Sequence, residues 1–384
     1  MEFFIEGTRS RTGKVLPAKY GILKYVYNSY LQKNIKDALI LPISINYENL
    51  IESNSILNEW FGKSKTKENF VNLVKSLKTI KKDFGDIVIK IDQPLLLSDF
   101  HARMAVESEE ENLNALANYV VNGLEGQTVI MNSTLIAILF LSGRVSLNID
   151  AFNVMLARLK TFLTKLGGQL NINSDASSVV KSIRTFDFIE HSEPKATITN
   201  RTPNDLKAVF QMLYYKNIAF YLMIQEALVA LVLFVQMRQF GAKYLTADQV
   251  GRRYRFFAEY LKEESLHLYK NTHLPADKII ELNRLGLFDL EEDGMVKLRY
   301  NTEEEMFAVD ILLSFVHPLL DSYSFVVREV CGLIARGITQ KRATDVETSI
   351  FLKLQDAFRD MVIISGESCS ITYVKNALEA LVVS

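Results

Sequence analysis

Phe3-Phe4-Ile5-Glu6-Gly7-Thr8-Arg9-Ser10-Arg11 and, further along, Leu41-Pro42-Ile43-Ser44-Ile45 are the two stretches that decide how this chain is read. The first opens with a short apolar run, residues 2–5, closed by Gly7; this predicts a strand feeding a loop. The second sits in a near-continuous apolar run, residues 38–45, the pattern of a strand buried on both faces of a parallel sheet. Between them Tyr20, Leu23, Val26, Tyr27 and Tyr30 recur with a helical period and predict a helix over residues 18–32. Residues 67–83 repeat that period with Phe70, Leu73, Val74, Leu77 and Ile80, and residues 86–91 read as a third strand. Strand, helix, strand, helix, strand implies a partial, mostly parallel sheet with helical crossovers. Ligands of such sheets bind beyond the carboxyl ends of the strands, which is where residues 6–11 fall.

After Asp99 helical periods dominate, so the chain divides into an α/β part, residues 1–103, and a mainly α-helical region, residues 104–384. The acidic run at residues 107–111 reads as a helix opening or a linker with a solvated face. Two later segments resemble each other. Residues 133–139, Leu147 and then Phe152, Leu156, Leu159, Phe162 and Leu163 match residues 226–232, Leu245 and then Val250, Tyr254, Phe257, Tyr260 and Leu261. Each reads as an apolar helix, a turn and an amphipathic helix. The second is followed by residues 279–285, Gly286 and an Asp293-Gly294 turn into residues 296–300, a winged-helix-like order. Residues 217–235 are the most apolar stretch and approach the length of a spanning helix. Gln225 and Glu226 stand in its middle, where a carboxylate costs about 2.5–3.5 kcal/mol in a bilayer. A core helix, or one lying on a membrane surface with Phe220, Leu222, Leu228, Leu231 and Phe234, fits better than a span.

Of 384 residues 48% are apolar and 23% charged, and the net charge of −1 argues against a nucleic-acid partner. Arg252, Arg253, Arg255 and Lys262 are offset by Glu259, Glu263 and Glu264. Cys331 and Cys369 offer neither metal-ligand spacing nor a disulfide framework, so no metal is expected and a reducing, intracellular compartment is the simplest reading. Glu2, Glu6 and Arg9 break any signal-peptide core, and the final residues are not a peroxisomal address.

The chemistry concentrates in the first loop. Residues 1–35 hold Arg9, Arg11, Lys14, Lys19, Lys24 and Lys33 against Glu2 and Glu6. Two arginines two residues apart can converge planar N–H forks on one phosphate. Gly7 permits close backbone approach, Thr8 and Ser10 add donors, and Lys14 adds a point charge.

These residues resemble the third and fourth conserved blocks of the glycerol-3-phosphate and dihydroxyacetone-phosphate acyltransferases. The third reads F-x-E-G-T/G-R-S-R and is matched by Phe4, Glu6, Gly7, Thr8, Arg9, Ser10 and Arg11. The fourth is an apolar strand with a proline, matched by Ile40, Leu41, Pro42, Ile43 and Ile45, then a tyrosine and an acid, as at Tyr47 and Glu48. The likeness continues through Gly62-Lys63-Ser64-Lys65, Glu68, Tyr214-Tyr215-Lys216-Asn217 and Leu319-Leu320-Asp321-Ser322-Tyr323. It implies that Arg9 and Arg11 bind the substrate phosphate, with Lys14 beside them, and that Pro42 shapes a pocket.

The resemblance further implies acyl transfer from acyl-CoA, as co-substrate and with no cofactor, to the sn-1 hydroxyl of glycerol 3-phosphate. Dihydroxyacetone phosphate is the alternative acceptor, and a non-catalytic lipid- or partner-binding module is the alternative from another class. The implied place is a membrane surface, the mitochondrial outer membrane ahead of the peroxisomal membrane or the endoplasmic reticulum. The family's base and its orienting acid come from an H-x-x-x-x-D block, which lies upstream of the F-x-E-G-T loop. Here His101, His191, His267, His273 and His317 are followed five residues on by Val106, Ala196, Thr272, Lys278 and Ser322. No catalytic residue is therefore assigned, and the chain is expected to be the rear part of the enzyme, inactive alone.

Overall fold

The computed structural model describes residues 1–8, 10, 12–50, 85–104, 108–143, 146–183, 186, 189–192, 197–200, 205–240, 244–265, 283–291, 294–337, 343–360 and 365–383. Arg9, Arg11, the helix expected over residues 67–83, the matches at residues 62–65 and Glu68, residues 279–282 and Asp293 lie outside the described residues.

Helix α1 (Tyr20–Leu31) buries Leu23 and Tyr27 and is followed by β1 (Leu39–Ile40) and β2 (Ile43–Tyr47), then β3 (Ile87–Ile91) and β4 (Leu95–Leu96). β1 pairs with β4 and β2 with β3, both antiparallel, which corrects the expected mostly parallel sheet. The reason lies in the alternation. The register sets Ile43 against Ile91, Ile45 against Ile89 and Tyr47 against Ile87. Every second residue is therefore a large apolar side chain on one shared face, with Ser44, Asn46, Val88 and Lys90 on the other. That period-two pattern belongs to antiparallel sheets covered on one side. The apolar face is the open one: Ile87 is 55% exposed, and Ile89 and Ile91 are each 60% exposed. Residues 2–5 form no strand, a second correction. Gly7 N–H donates to Phe4 O at 3.0 Å in a turn that carries Ile5 inward to 5% exposure.

Helices α2 (Leu97–Met104) and α3 (Glu109–Gly126) complete this part. Ser108 caps α3 by accepting from Glu111 N–H, and Glu109, Glu110 and Glu111 lie in its first turn, so the acidic run complements the helix dipole. Ile5, Tyr27, Leu97, Phe100, Leu116 and Val121 form a small core, so this packing unit runs through α3 and past residue 103.

A larger core joins the remaining elements. In chain order these are β5 (Val129–Ile130), α4 (Asn132–Leu141), β6 (Ser146–Asn148), α5 (Ile149–Lys165), β7 (Gln169–Leu170), α6 (Ala176–Ser182), β8 (Ile189–Ser192) and β9 (Thr197–Asn200). Then come α7 (Leu206–Asn217), α8 (Phe220–Phe240), β10 (Leu245–Thr246), α9 (Ala247–Tyr260), β11 (Phe288–Leu290), β12 (Met295–Leu298), α10 (Glu303–Ala335), α11 (Ala343–Arg359) and α12 (Ile371–Val383). The described residues are thus mostly helical, with small sheets; β5 and β7 are the one parallel pair among them. The two similar segments fold alike. In each, a helix, a short strand and a second helix precede an antiparallel strand pair, with β7 and α6 intervening in the first, and the short strand pairs with the second strand of that pair, in the orders β6-β9-β8 and β10-β12-β11.

By length and composition α8 and α10 could each cross a membrane, yet 72% and 67% of their most apolar windows are buried in the fold. The two helices pack on each other, and Phe220, Leu222, Leu228 and Leu231 face the core, as does Glu226. Of the two expectations for this helix, core or membrane surface, its packing on α10 favours the first.

Candidate functional site

The loop after Ile5 is built on backbone. Lys19 N–H donates to Ile5 O at 2.7 Å, so residues 5–19 leave and return at one point. Gly7 has φ +64, and a Cβ there would lie 2.9 Å from Lys19 Cγ, so glycine is required for both conformation and space. Glu6 is half-buried, and burial pushes its carboxyl up to about 7; Leu16 N–H opposes the shift and the nearby Glu125 adds to it. Ser10 Oγ donates to Lys14 O at 2.5 Å, tightening the turn between.

Lys14 follows inward and is only 8% exposed. Its Nζ lies 2.6 Å from Glu264 Oε2, 4.0 Å from the centre of the Phe220 ring and 4.9 Å from that of Tyr373. Burial draws its pKa down, against the pull of Glu264. The ammonium expected to face a phosphate is therefore held by a carboxylate of the helical body in this conformation. Glu264 Oε1 also accepts from Tyr323 Oη at 2.9 Å and Asn376 Nδ2 at 3.0 Å. Asn217, the last residue of α7, donates from Nδ2 to Thr12 O at 2.9 Å. Gly13, at φ +83, passes so close to α7 that a Cβ would lie 2.0 Å from Tyr214 O.

Beside this loop a cleft of about 170 Å³ runs along β2 from Ser44 to Tyr47, with Gly13, Tyr214 and Met131 among its other walls. Pro42 does not line it. Pro42 is buried at the junction of β1 and β2, where its carbonyl accepts from Asp92 N–H at 3.0 Å and its ring lies near Gly123 of α3. The tyrosine that ends β2 and the acid after it have separate places. Tyr47 is exposed, whereas Glu48 is buried and accepts from the first two N–H groups of α4, Asn132 at 3.1 Å and Ser133 at 2.6 Å. Burial raises the Glu48 pKa, and those hydrogen bonds oppose the rise. A helix N-terminus is thus held by a carboxylate from the strand end. Asn46 adds a further tie, accepting from Val129 N–H at 2.9 Å. Lys216 is buried in the helical body against Glu367 at 2.7 Å and Ser314 O at 2.8 Å.

His101 Nδ1 lies 3.3 Å from Tyr27 Oη, and His317 is exposed on α10, one turn before Asp321. Among the described residues no three His, Cys, Asp or Glu side chains cluster as metal ligands, and both cysteines are free. Sequence reasoning missed Asn376 and the roles of Glu264, Asn217, Tyr323 and Glu48. The one available signal was the matched motif Tyr214-Tyr215-Lys216-Asn217, whose Lys216 and Asn217 the structure buries.

A family model for the glycerol-3-phosphate acyltransferase C-terminal region matches residues 57–383. A dihydroxyacetone phosphate acyltransferase of Homo sapiens is 25% identical over 361 residues, covering 85% of this chain and 51% of its own length. A glycerol-3-phosphate acyltransferase of Pseudomonas putida (strain W619) is 24% identical over 403 residues, covering 99% of this chain and 45% of its own. Another of that name, from Xanthomonas campestris pv. campestris, is 39% identical over 114 residues, covering 29% of this chain and 13% of its own. The chain spans about half the length of the first two and less of the third.

Proposed function

Because this chain belongs to the family of the glycerol-3-phosphate acyltransferase C-terminal region, we propose that it serves glycerolipid acylation by holding the acceptor's phosphate. The observation that carries this is the loop of residues 5–19, pinched at its base, bearing Arg9 and Arg11 in sequence and followed by a stretch that walls the cleft along β2. The acceptor is glycerol 3-phosphate, acylated at the sn-1 hydroxyl from acyl-CoA; relatives named for dihydroxyacetone phosphate make that the alternative acceptor. In the transfer the hydroxyl oxygen attacks the thioester carbonyl, a base takes the hydroxyl proton and the CoA thiolate leaves. Arg9 and Arg11 hold the phosphate and do no bond-making. No histidine of this sequence has an aspartate five residues on, so the proposed role of the 384-residue chain alone is binding, without turnover.

The same reading puts the chain against a membrane surface through the apolar face of β2 and β3. Ile45 lies both on that face and in the wall of the cleft, so an acyl chain leaving lipid would meet the acceptor there.

The test is calorimetric titration of the chain with glycerol 3-phosphate. Arg9→Ala and Arg11→Ala should each weaken binding about ten- to a hundredfold, the worth of one charge-assisted contact. Unchanged affinity in both variants removes the phosphate role, and lysophosphatidate formation by the unaided chain removes the claim that it lacks the base.

A further inference from the structure

We infer that Asn217 and Glu264 of the helical region are positioning residues for the arginine loop, and that Lys14 is the handle by which they hold it. The inference rests on the phosphate-loop reading and gives it a mechanism.

The residues immediately after Arg11 are fixed at three consecutive points. Asn217 Nδ2 holds Thr12 O, the backbone of Gly13 lies against Tyr214 O, and Lys14 Nζ meets Glu264 Oε2. None of the three partners is itself loosely placed. Asn217 ends α7 and is 3% exposed; Glu264 is 4% exposed and is gripped on its other oxygen by Tyr323 from α10 and Asn376 from α12. The loop therefore inherits its position from four helices or their ends.

The choice of chemistry at this seam indicates what it does. Taking an ammonium and a carboxylate out of water costs several kcal/mol each, and well-packed apolar residues would join the two surfaces at least as strongly. A buried ion pair and a backbone-directed amide instead fix direction and register. Two arginine stems that must close on one phosphate lose less freedom on binding when the backbone beside them is already set. This also accounts for motif residues without an assigned task. Of Tyr214-Tyr215-Lys216-Asn217 the first and last touch the loop, and Tyr323, the end of the second motif, holds Glu264.

The experiment follows three quantities on the 384-residue chain: glycerol 3-phosphate affinity, melting temperature and hydrogen exchange of residues 5–19. Asn217→Ala removes one buried hydrogen bond and should weaken binding about three- to tenfold while speeding exchange in the loop. Lys14→Met or Glu264→Gln alone leaves a buried group without its partner and should lower the melting temperature. The double variant K14M/E264Q should recover stability yet keep weak binding and fast loop exchange. Leu354→Ala, a cavity in α11 far from the loop in sequence, is the control that lowers the melting temperature and leaves affinity alone. The inference is overturned if N217A and K14M/E264Q bind and exchange like the parent, or if L354A loses affinity in step with them. If the parent binds no glycerol 3-phosphate, the phosphate reading fails separately, and exchange at residues 5–19 alone decides whether Asn217 and Glu264 hold the loop.

Discussion

Glu48→Ala should destabilise the chain by about 2–4 kcal/mol, and the structure supplies the terms. The carboxylate receives the first two N–H groups of α4, and Asn132 and Ser133 are 3% and 0% exposed, so water cannot replace it. Each buried donor left without an acceptor costs about 1–3 kcal/mol, which gives roughly 2–6 for the pair. Part is returned, because burying a carboxylate is itself unfavourable, and here burial outweighs the hydrogen bonds and raises the Glu48 pKa. Glu48→Gln keeps one acceptor oxygen and should lose about half as much. The raised pKa also sets a pH signature. The unfolded chain gives up this proton at lower pH than the folded one, so the contribution of Glu48 is full below the unfolded pKa and shrinks as pH rises through the folded pKa. The gap between parent and E48A should therefore be widest in acid. Urea denaturation followed by circular dichroism, at about pH 5 and about pH 8, measures it as a shift of midpoint at constant slope. An unchanged midpoint, or a gap that widens with rising pH, refutes the assignment of Glu48 as the anchor of α4.

Two further outcomes are expected. Glu6, raised from 4.5 to about 7 chiefly by burial, makes the folded chain hold a proton that the unfolded chain has lost, so stability should fall between those pH values. Glu6→Gln should flatten that part of the stability–pH curve, and equal slopes for the two proteins would show that Glu6 is solvated instead. The exposed face of β2 and β3 should bind lipid: I89N/I91N should reduce sedimentation with phosphatidylcholine vesicles about tenfold or more, since each buried isoleucine is worth about 1.5–3 kcal/mol. Partitioning equal to the parent's would return that face to water or to another protein surface.

What could be read in the sequence, and what could not, follows from how far apart the interacting residues lie. α1 and α8 were legible because their apolar spacing is local, and the Gly7 turn because a glycine between a run of apolar residues and a polar loop has few other uses. The sheet was misread for a definable reason. A run such as 38–45 looks continuous until the strand is seen to break at Pro42 into β1 and β2, after which the alternation Ile43-Ser44-Ile45-Asn46-Tyr47 becomes plain. For α8 the ambiguity was of another kind, since apolarity alone does not say whether a helix meets lipid or another helix, and only the fold shows that α10 packs on it. In the candidate site, the glycines, Arg9 and Arg11 stood out as a compact motif. Their supports did not, because Lys14 and Glu264 are 250 positions apart and Asn217 is 205 from Thr12. A lysine three residues beyond an arginine pair invites the reading of a third phosphate ligand. Only the fold reveals that its charge already has a counterion, Glu264, at 2.6 Å.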